Sequence, residues 1–274
     1  MRLVAAVMLA CALPAAGATW PALAPGPLQD NSFLIEEAYN QEAGVMQSTL
    51  DTTYDLHTQG WVLSFNQEWP APDETNQLSF TVPVAFAGRL DDASGVGDVF
   101  LNYRYQALVE APRRPAVAPR LSVILPTGRR GLGGAAGVQV GIPVSKQLGE
   151  HFAAHLNLGA TVIPSADTDQ GGARVVLGNG GASLVWEPVD AINFLCAPVT
   201  VGGDDVDDGR PVRHVLAFAN PGVRVGWDGP GGSQWVWGVG VPIGLTRDSP
   251  SLAVFLYFAI ENPFTSAARA ERQW

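Results

Sequence analysis

Along most of the chain, apolar and polar residues alternate one for one, the period of a strand with two unlike faces. In HFAAHLNLGATV, Phe152, Ala154, Leu156, Leu158, Ala160 and Val162 interleave with His151, His155, Asn157, Gly159 and Thr161. In GDVFLNYRYQA, Val99, Leu101, Tyr103 and Tyr105 interleave with Asp98, Asn102, Arg104 and Gln106. Helical periodicity is scarce. The pattern predicts about twelve strands, near 45–56, 61–69, 77–85, 97–108, 118–126, 137–148, 151–163, 173–187, 190–201, 212–227, 234–245 and 251–264. Most run to about nine to fourteen residues, against about 5–6 in soluble proteins, and match a tilted membrane strand. Tight turns at 148–151 and 187–190 contrast with the polar stretches PSADTDQGG and GGDDVDDGRP. If both termini lie on the periplasmic side, these two stretches are long outer loops, as expected of an outer-membrane barrel.

A soluble β-sandwich also alternates, so the composition of the polar face decides. The chain has one lysine, Lys146, and only 15% charged residues. Its polar faces are built from Gly, Ser, Thr, Asn and Gln with sparse charges. That composition suits a closed interior, where small polar groups satisfy one another, better than a soluble surface rich in Lys and Glu. Trp61, Trp69, Trp186, Trp227 and Trp235 fall near strand ends, where interfacial girdles place them. The closing run SLAVFLYFAIENPF reads as a last strand with Leu252, Val254, Leu256, Phe258 and Ile260 toward lipid. The fold expected is all-β: a transmembrane antiparallel up-and-down barrel of about twelve strands, occupying 45–264.

Outside the barrel, residues 1–18 read as a signal peptide, with Arg2, an apolar stretch and the small-x-small pattern Ala16-Gly17-Ala18. Residues 19–44 form an N-terminal segment in which Asn31 or Ser32 could cap a short helix, or which could enter the lumen as a plug. Residues 265–274 form a C-terminal tail. Of the two cysteines only Cys196 survives removal of the signal, so no internal disulfide is expected. The net charge of −10 argues against a nucleic-acid partner.

The stretches NSFLIEEAYNQEAGVMQ, GDVFLNYRYQ and APRLSVILPTG resemble Gram-negative outer-membrane transporters related to the meta-pathway of phenol degradation barrel family. The resemblance runs from about Asn31 to Phe264. It implies a barrel that passes small, hydrophobic or aromatic molecules, and it carries over no catalytic residue.

Candidate chemistry is sparse. Asp51, Asp55, Glu68, Asp98, Asn102, Arg104, Arg120, His155, Asn157 and Arg224 are expected to line the lumen. They would act either as charged rings that set selectivity or as a salt-bridge network that plugs and stiffens the barrel. His151 and His155 share a face but stand about 13 Å apart, too far to chelate one ion. Asp204, Asp205, Asp207 and Asp208 form an acidic loop that is a weak candidate for a hard cation such as calcium. GLGGAAG at 131–137 lacks the Lys-Ser/Thr and following helix of a phosphate loop, and reads as an external glycine-rich loop. No GxSxG elbow occurs and no acid/base couple stands out. The reading adopted is a non-enzymatic, cofactor-free outer-membrane channel in contact with outer-membrane lipid and a small-molecule solute. The alternatives are a barrel enzyme acting on lipid and a soluble exported β-sandwich binding protein.

Overall fold

The computed structural model describes residues 31–89, 94–129, 131–168, 171–207 and 210–271, so the expected signal peptide lies outside the described residues. Twelve long strands form one closed antiparallel sheet: β1 (Val45–Asp55), β2 (Trp61–Pro70), β3 (Asn76–Phe86), β4 (Val99–Tyr105), β5 (Arg120–Leu125), β6 (Gly137–Gln147), β7 (Phe152–Thr168), β8 (Gly171–Val189), β9 (Ile192–Asp207), β10 (Arg210–Asp228), β11 (Gln234–Gly240) and β12 (Ala253–Pro263). Three two-residue segments, Gly95–Val96, Ala116–Val117 and Ile243–Gly244, add short pairings at the rims. Each long strand pairs with its predecessor and successor. The wall closes where β1 meets β12, from Val45 opposite Pro263 to Asp55 opposite Ala253. Closure removes every exposed sheet edge, as a lipid-embedded sheet requires. Among the described residues no helix is long and apolar enough to cross a membrane, which says nothing of crossing by strands.

The alternation read from the sequence sorts side chains by face. On β4, Leu101, Tyr103 and Tyr105 are exposed outside while Asn102 and Arg104 are buried inside. On β12 the lipid face is as expected, and Ala253, Phe255, Tyr257 and Ala259 are buried toward the interior. Aromatic contacts mark the outer rims, with Tyr54 tilted against Trp61 (4.5 Å) at one end and Trp186 stacked on Phe194 (5.4 Å) at the other. The end where β1 begins and β12 finishes is called proximal below, and the opposite end distal.

Two expectations are corrected. The long loops expected at 164–172 and 202–211 are largely strand. β7 to β10 span 17, 19, 16 and 19 residues and pair as far as Thr168 with Gly171 and Asp207 with Arg210. At about 3.3 Å per residue these strands reach roughly 50–60 Å, whereas a ~25 Å apolar band crossed at ~40° needs only about 33 Å. Beyond the band, polar residues pair in a ladder as readily as apolar ones, so polarity alone did not mark a loop. The expected short helix near Asn31 is also absent. Residues 31–44 are turn and extended chain, with a bridge between Ser32 and Ile35. Their amides bond to wall side chains instead of to carbonyls four residues back. The helix found is Ser266–Glu271, in the tail after β12.

Candidate functional site: an occupied lumen

Residues 31–44 lie inside the proximal half of the barrel and are held from opposite walls. From β10, Arg224 donates to the Asn31 carbonyl (2.9 Å) and to Glu37 Oε1 (3.0 Å). From β4, across the lumen, Arg104 donates to the carbonyls of Glu37 (3.3 Å) and Tyr39 (2.5 Å) and to Asn40 Oδ1 (2.9 Å). Arg120 on β5 meets the Glu36 carboxylate at 2.8 Å. Asn157 on β7 exchanges two hydrogen bonds with the Glu36 backbone, each 2.8 Å. Gln77 on β3 accepts from the Gln41 amide (2.8 Å). From Asn31 to Gln41 the segment pairs with side chains of the wall and not with its strand ladder, so it is a plug and not an extra strand; only at Gly44, whose carbonyl accepts from the Phe264 amide (2.8 Å), does it join the ladder.

Ser145 on β6 accepts from the Ala38 amide (2.7 Å) and lies 2.8 Å from His155 Nδ1, while His155 Nε2 is 3.7 Å from Glu37 Oε1. A serine, histidine and carboxylate in line is the order of a hydrolase triad. Here the hydroxyl is committed to the plug, the carboxylate is paired with Arg224, and all three side chains are buried between plug and wall. The trio holds the plug.

The wall is cut to fit the apolar side of the segment. Phe33 adopts a left-handed φ of 59°, a conformation that costs a bulky residue roughly 1–3 kcal/mol. It turns the ring onto Gly222 and Gly238, where a Cβ on either glycine would collide with the ring, and against Phe255 (4.7 Å) and Tyr257 (6.0 Å). Full burial of such a ring contributes about 2–3 kcal/mol, enough to offset the strain. Ile35 packs likewise where a Cβ on Gly181 would stand.

Below the plug, the proximal connection 106–119 acts as a clamp. Tyr39 donates its hydroxyl to Glu110 Oε2 (2.6 Å), and Lys146 Nζ and the Gln147 amide donate to Glu110 Oε1 at 2.5 and 3.0 Å. Gln106 adds a donation to the Ala38 carbonyl (2.8 Å). Partial burial favours the neutral Glu110 acid, but the hydrogen bonds from Lys146, Tyr39 and Gln147 outweigh it and lower its pKa. Burial and the adjacent Glu110 raise that of Tyr39 well above the usual phenol value.

The distal half of the lumen has two unlike sides. On β2 to β7, Thr81 donates to Asn66 (2.9 Å), Asn102 to Thr81 (3.2 Å) and Gln139 to Thr161 (2.9 Å), and Arg120 reaches up from the level of the plug to Gln139 (2.8 Å). On β8 to β10, the inward row is Leu177, Val199, Val201, Leu216 and Phe218, fixed by the pairings Gly181 with Val199, Val201 with Leu216, and Val199 with Phe218.

The expected lumen residues thus divide. Arg104, Arg120, His155, Asn157 and Arg224 grip the plug. Glu68 receives Gln77 (2.5 Å) and Asn66 and stands 3.9 Å from Arg104. Asn102 joins the polar side, and Asp51 is buried on the inner face of β1. Asp55 does not line the lumen: at the end of β1 its Oδ1 accepts from the His57 and Thr58 amides (2.7 and 3.1 Å), closing the distal turn. Asp98 lies at the distal rim beneath the glycine-rich loop, accepting from the Gly128 and Gly134 amides, each 2.8 Å to Oδ1. Backbone amides do gather around an anion there, and the anion is the chain's own carboxylate. Strand alternation separates the acidic run: Asp204 points outward toward Arg213 (3.7 Å) and Asp205 inward toward His214 (3.6 Å). The side chain of Asp207, and Asp208, lie outside the described residues, among which no cluster suited to a metal ion occurs. Cys196 is exposed on the outer face. Sequence reasoning missed Glu36, Glu37, Tyr39, Gln77, Glu110 and Ser145 as site residues. Ser145 stands on the polar phase of β6 and Gln77 on that of β3, so alternation alone could have nominated both.

The family model described as "Putative MetA-pathway of phenol degradation" matches residues 26–173, more than half of the sequence. The chain belongs to this family. Among solved structures, the COG4313 outer membrane channel from Pseudomonas putida F1 is similar in fold (TM-score 0.59, 17% identity), covering 82% of this chain and 98% of that one. The NanC porin is similar at a TM-score of 0.50 and 7% identity, covering 78% and 98%. No curated protein matches the sequence significantly. At these identities the structural likenesses establish the barrel. The part of the chain that the family model matches holds the plug, its clamp and strands β1 to β7.

Proposed function

We propose that the protein is a passive outer-membrane channel for small solutes, with residues 31–41 as a resident gate and the proximal end facing the periplasm. The observation that carries this reading is the lumen itself, polar on one side, apolar on the other, and blocked by a segment tethered through side chains. Because no ladder is broken when that segment shifts, water can replace its contacts one by one, and a two-sided passage suits small amphipathic or aromatic molecules. The solved outer-membrane channel and porin of similar fold support the reading. In planar bilayers the purified protein is expected to show small, intermittent conductance that becomes steady when Arg104 is replaced by Gln, since that residue holds the plug at three points. A folded barrel that never conducts, with or without that substitution, would overturn the proposal.

A further inference from the structure

We infer that the plug imitates the solute, and that its seat on the wall is a binding site for small aryl carboxylates. This rests on the channel reading above and names its substrate class. The plug presents two kinds of group to the wall. One is an aromatic ring, that of Phe33, set between Gly222, Gly238, Phe255 and Tyr257. The other is the Glu37 carboxylate, received by Arg224 (3.0 Å) with His155 Nε2 at 3.7 Å.

Gly222 and Arg224 are two residues apart on the same inward face of β10, their α-carbons about 6.6 Å apart by strand rise, so the ring seat and the guanidinium that holds the carboxylate belong to one stretch of wall. A phenyl ring and a carboxylate joined by a short flexible spacer offer the same two groups. Arg120 provides a second carboxylate seat, now filled by Glu36 at 2.8 Å. The surroundings keep this selective for anions. On the wall, Glu68 is engaged by Gln77, Asn66 and Arg104 and Glu187 by Gln147, whereas the two arginines named here receive carboxylates from the plug. When the plug withdraws, Arg224 keeps its bond to Asn193 (2.8 Å) but gives up the carboxylate of Glu37, and a passing carboxylate can take that place.

The test is calorimetric titration of the detergent-solubilised full-length protein with 3-phenylpropionate, with 3-phenylpropan-1-ol and propionate as controls. In the wild type the plug competes. Glu37→Gln removes the competing charge and keeps the shape, so 3-phenylpropionate is expected to bind about tenfold more tightly to it, the scale of one charged hydrogen bond. The alcohol and propionate are expected to gain little. Arg224→Gln is expected to abolish the gain, and Arg224→Lys, which keeps the charge, to restore part of it. Equal binding of acid and alcohol, or no gain in Glu37→Gln, would overturn the inference. Heat-modifiable migration of each variant on gels shows that the barrel is folded. Conductance recorded on the same proteins separates the two readings: binding without conductance sinks the channel and keeps the site, and conductance without carboxylate preference does the reverse.

Discussion

At the scale of single residues, the fit between plug and wall depends on what the wall leaves out. Gly222 and Gly238 give Phe33 its seat, and a methyl group at either position falls where the ring lies. Gly238→Ala is therefore expected to expel the ring and forfeit about 2–3 kcal/mol of its burial, while the wall ladder stays intact; at Gly222 the methyl would also press on the Val239 carbonyl of the adjoining strand. Chymotryptic cleavage within residues 31–44, at Phe33, Leu34 or Tyr39, should accelerate in this variant while the boiled and unboiled gel bands stay separate. Unchanged protection would mean that the polar contacts alone hold the segment. Asp98 makes a second such case. Its carboxylate ties the Gly128 and Gly134 amides, so Asp98→Ala should speed hydrogen exchange at both amides. Asp98→Asn, which keeps one carbonyl acceptor, should do so less.

At the scale of elements, the plug and the connection 106–119 behave as a latch whose hold depends on pH. Glu110 has a lowered pKa in the folded protein, so its stabilising contribution is present above the ordinary glutamate range and is lost as pH falls through the depressed value. Tyr39 has a raised pKa, so its contribution is complete below the usual phenol value and fades as pH rises past about 10. Channel opening measured against pH should accordingly stay low across the neutral range and rise only once pH falls below the ordinary glutamate range. In Glu110→Gln the acid limb should vanish, and a profile unchanged by that substitution would remove Glu110 from the latch. The sequence made some of this legible and hid the rest. Strict alternation exposed the strands and the inward placement of Arg104, His155 and Arg224, because one face of every strand meets lipid. It could not separate gripping a plug from lining an open pore, since both put a charge on the inner face. Partner identity depends on long-range pairs such as Glu37 with Arg224 that no local pattern encodes. Likewise Asp55 has the phase of a lumen residue but sits where the strand ends, and its turn-closing role follows from the neighbouring amides.

At the scale of the whole molecule, the barrel is uneven in height. β7 to β10 are longer than β1 to β6 and β11 to β12 and outrun the band, so one side of the distal rim stands above the rest. Two different forces hold the two zones. Within the band every backbone group must be paired, because lipid offers no alternative partner. Above it water competes for the same groups, and the ladder is sustained by cross-strand side chains such as Asp204 with Arg213, an exposed pair worth little by itself. Closure of the barrel lies entirely in the first zone, at β1 with β12 and through the lower halves of β7 to β10. Replacing residues 166–173 by an Asn-Gly turn is therefore expected to leave insertion, heat-modifiable migration and the plug's protease protection unchanged, and conductance within about twofold, because the excised ladder lies outside the band. A variant that migrates as unfolded before boiling would show that the projecting hairpins are needed to bring β7 to β10 together before they enter lipid, and that the tall side of the barrel belongs to assembly and not only to the rim.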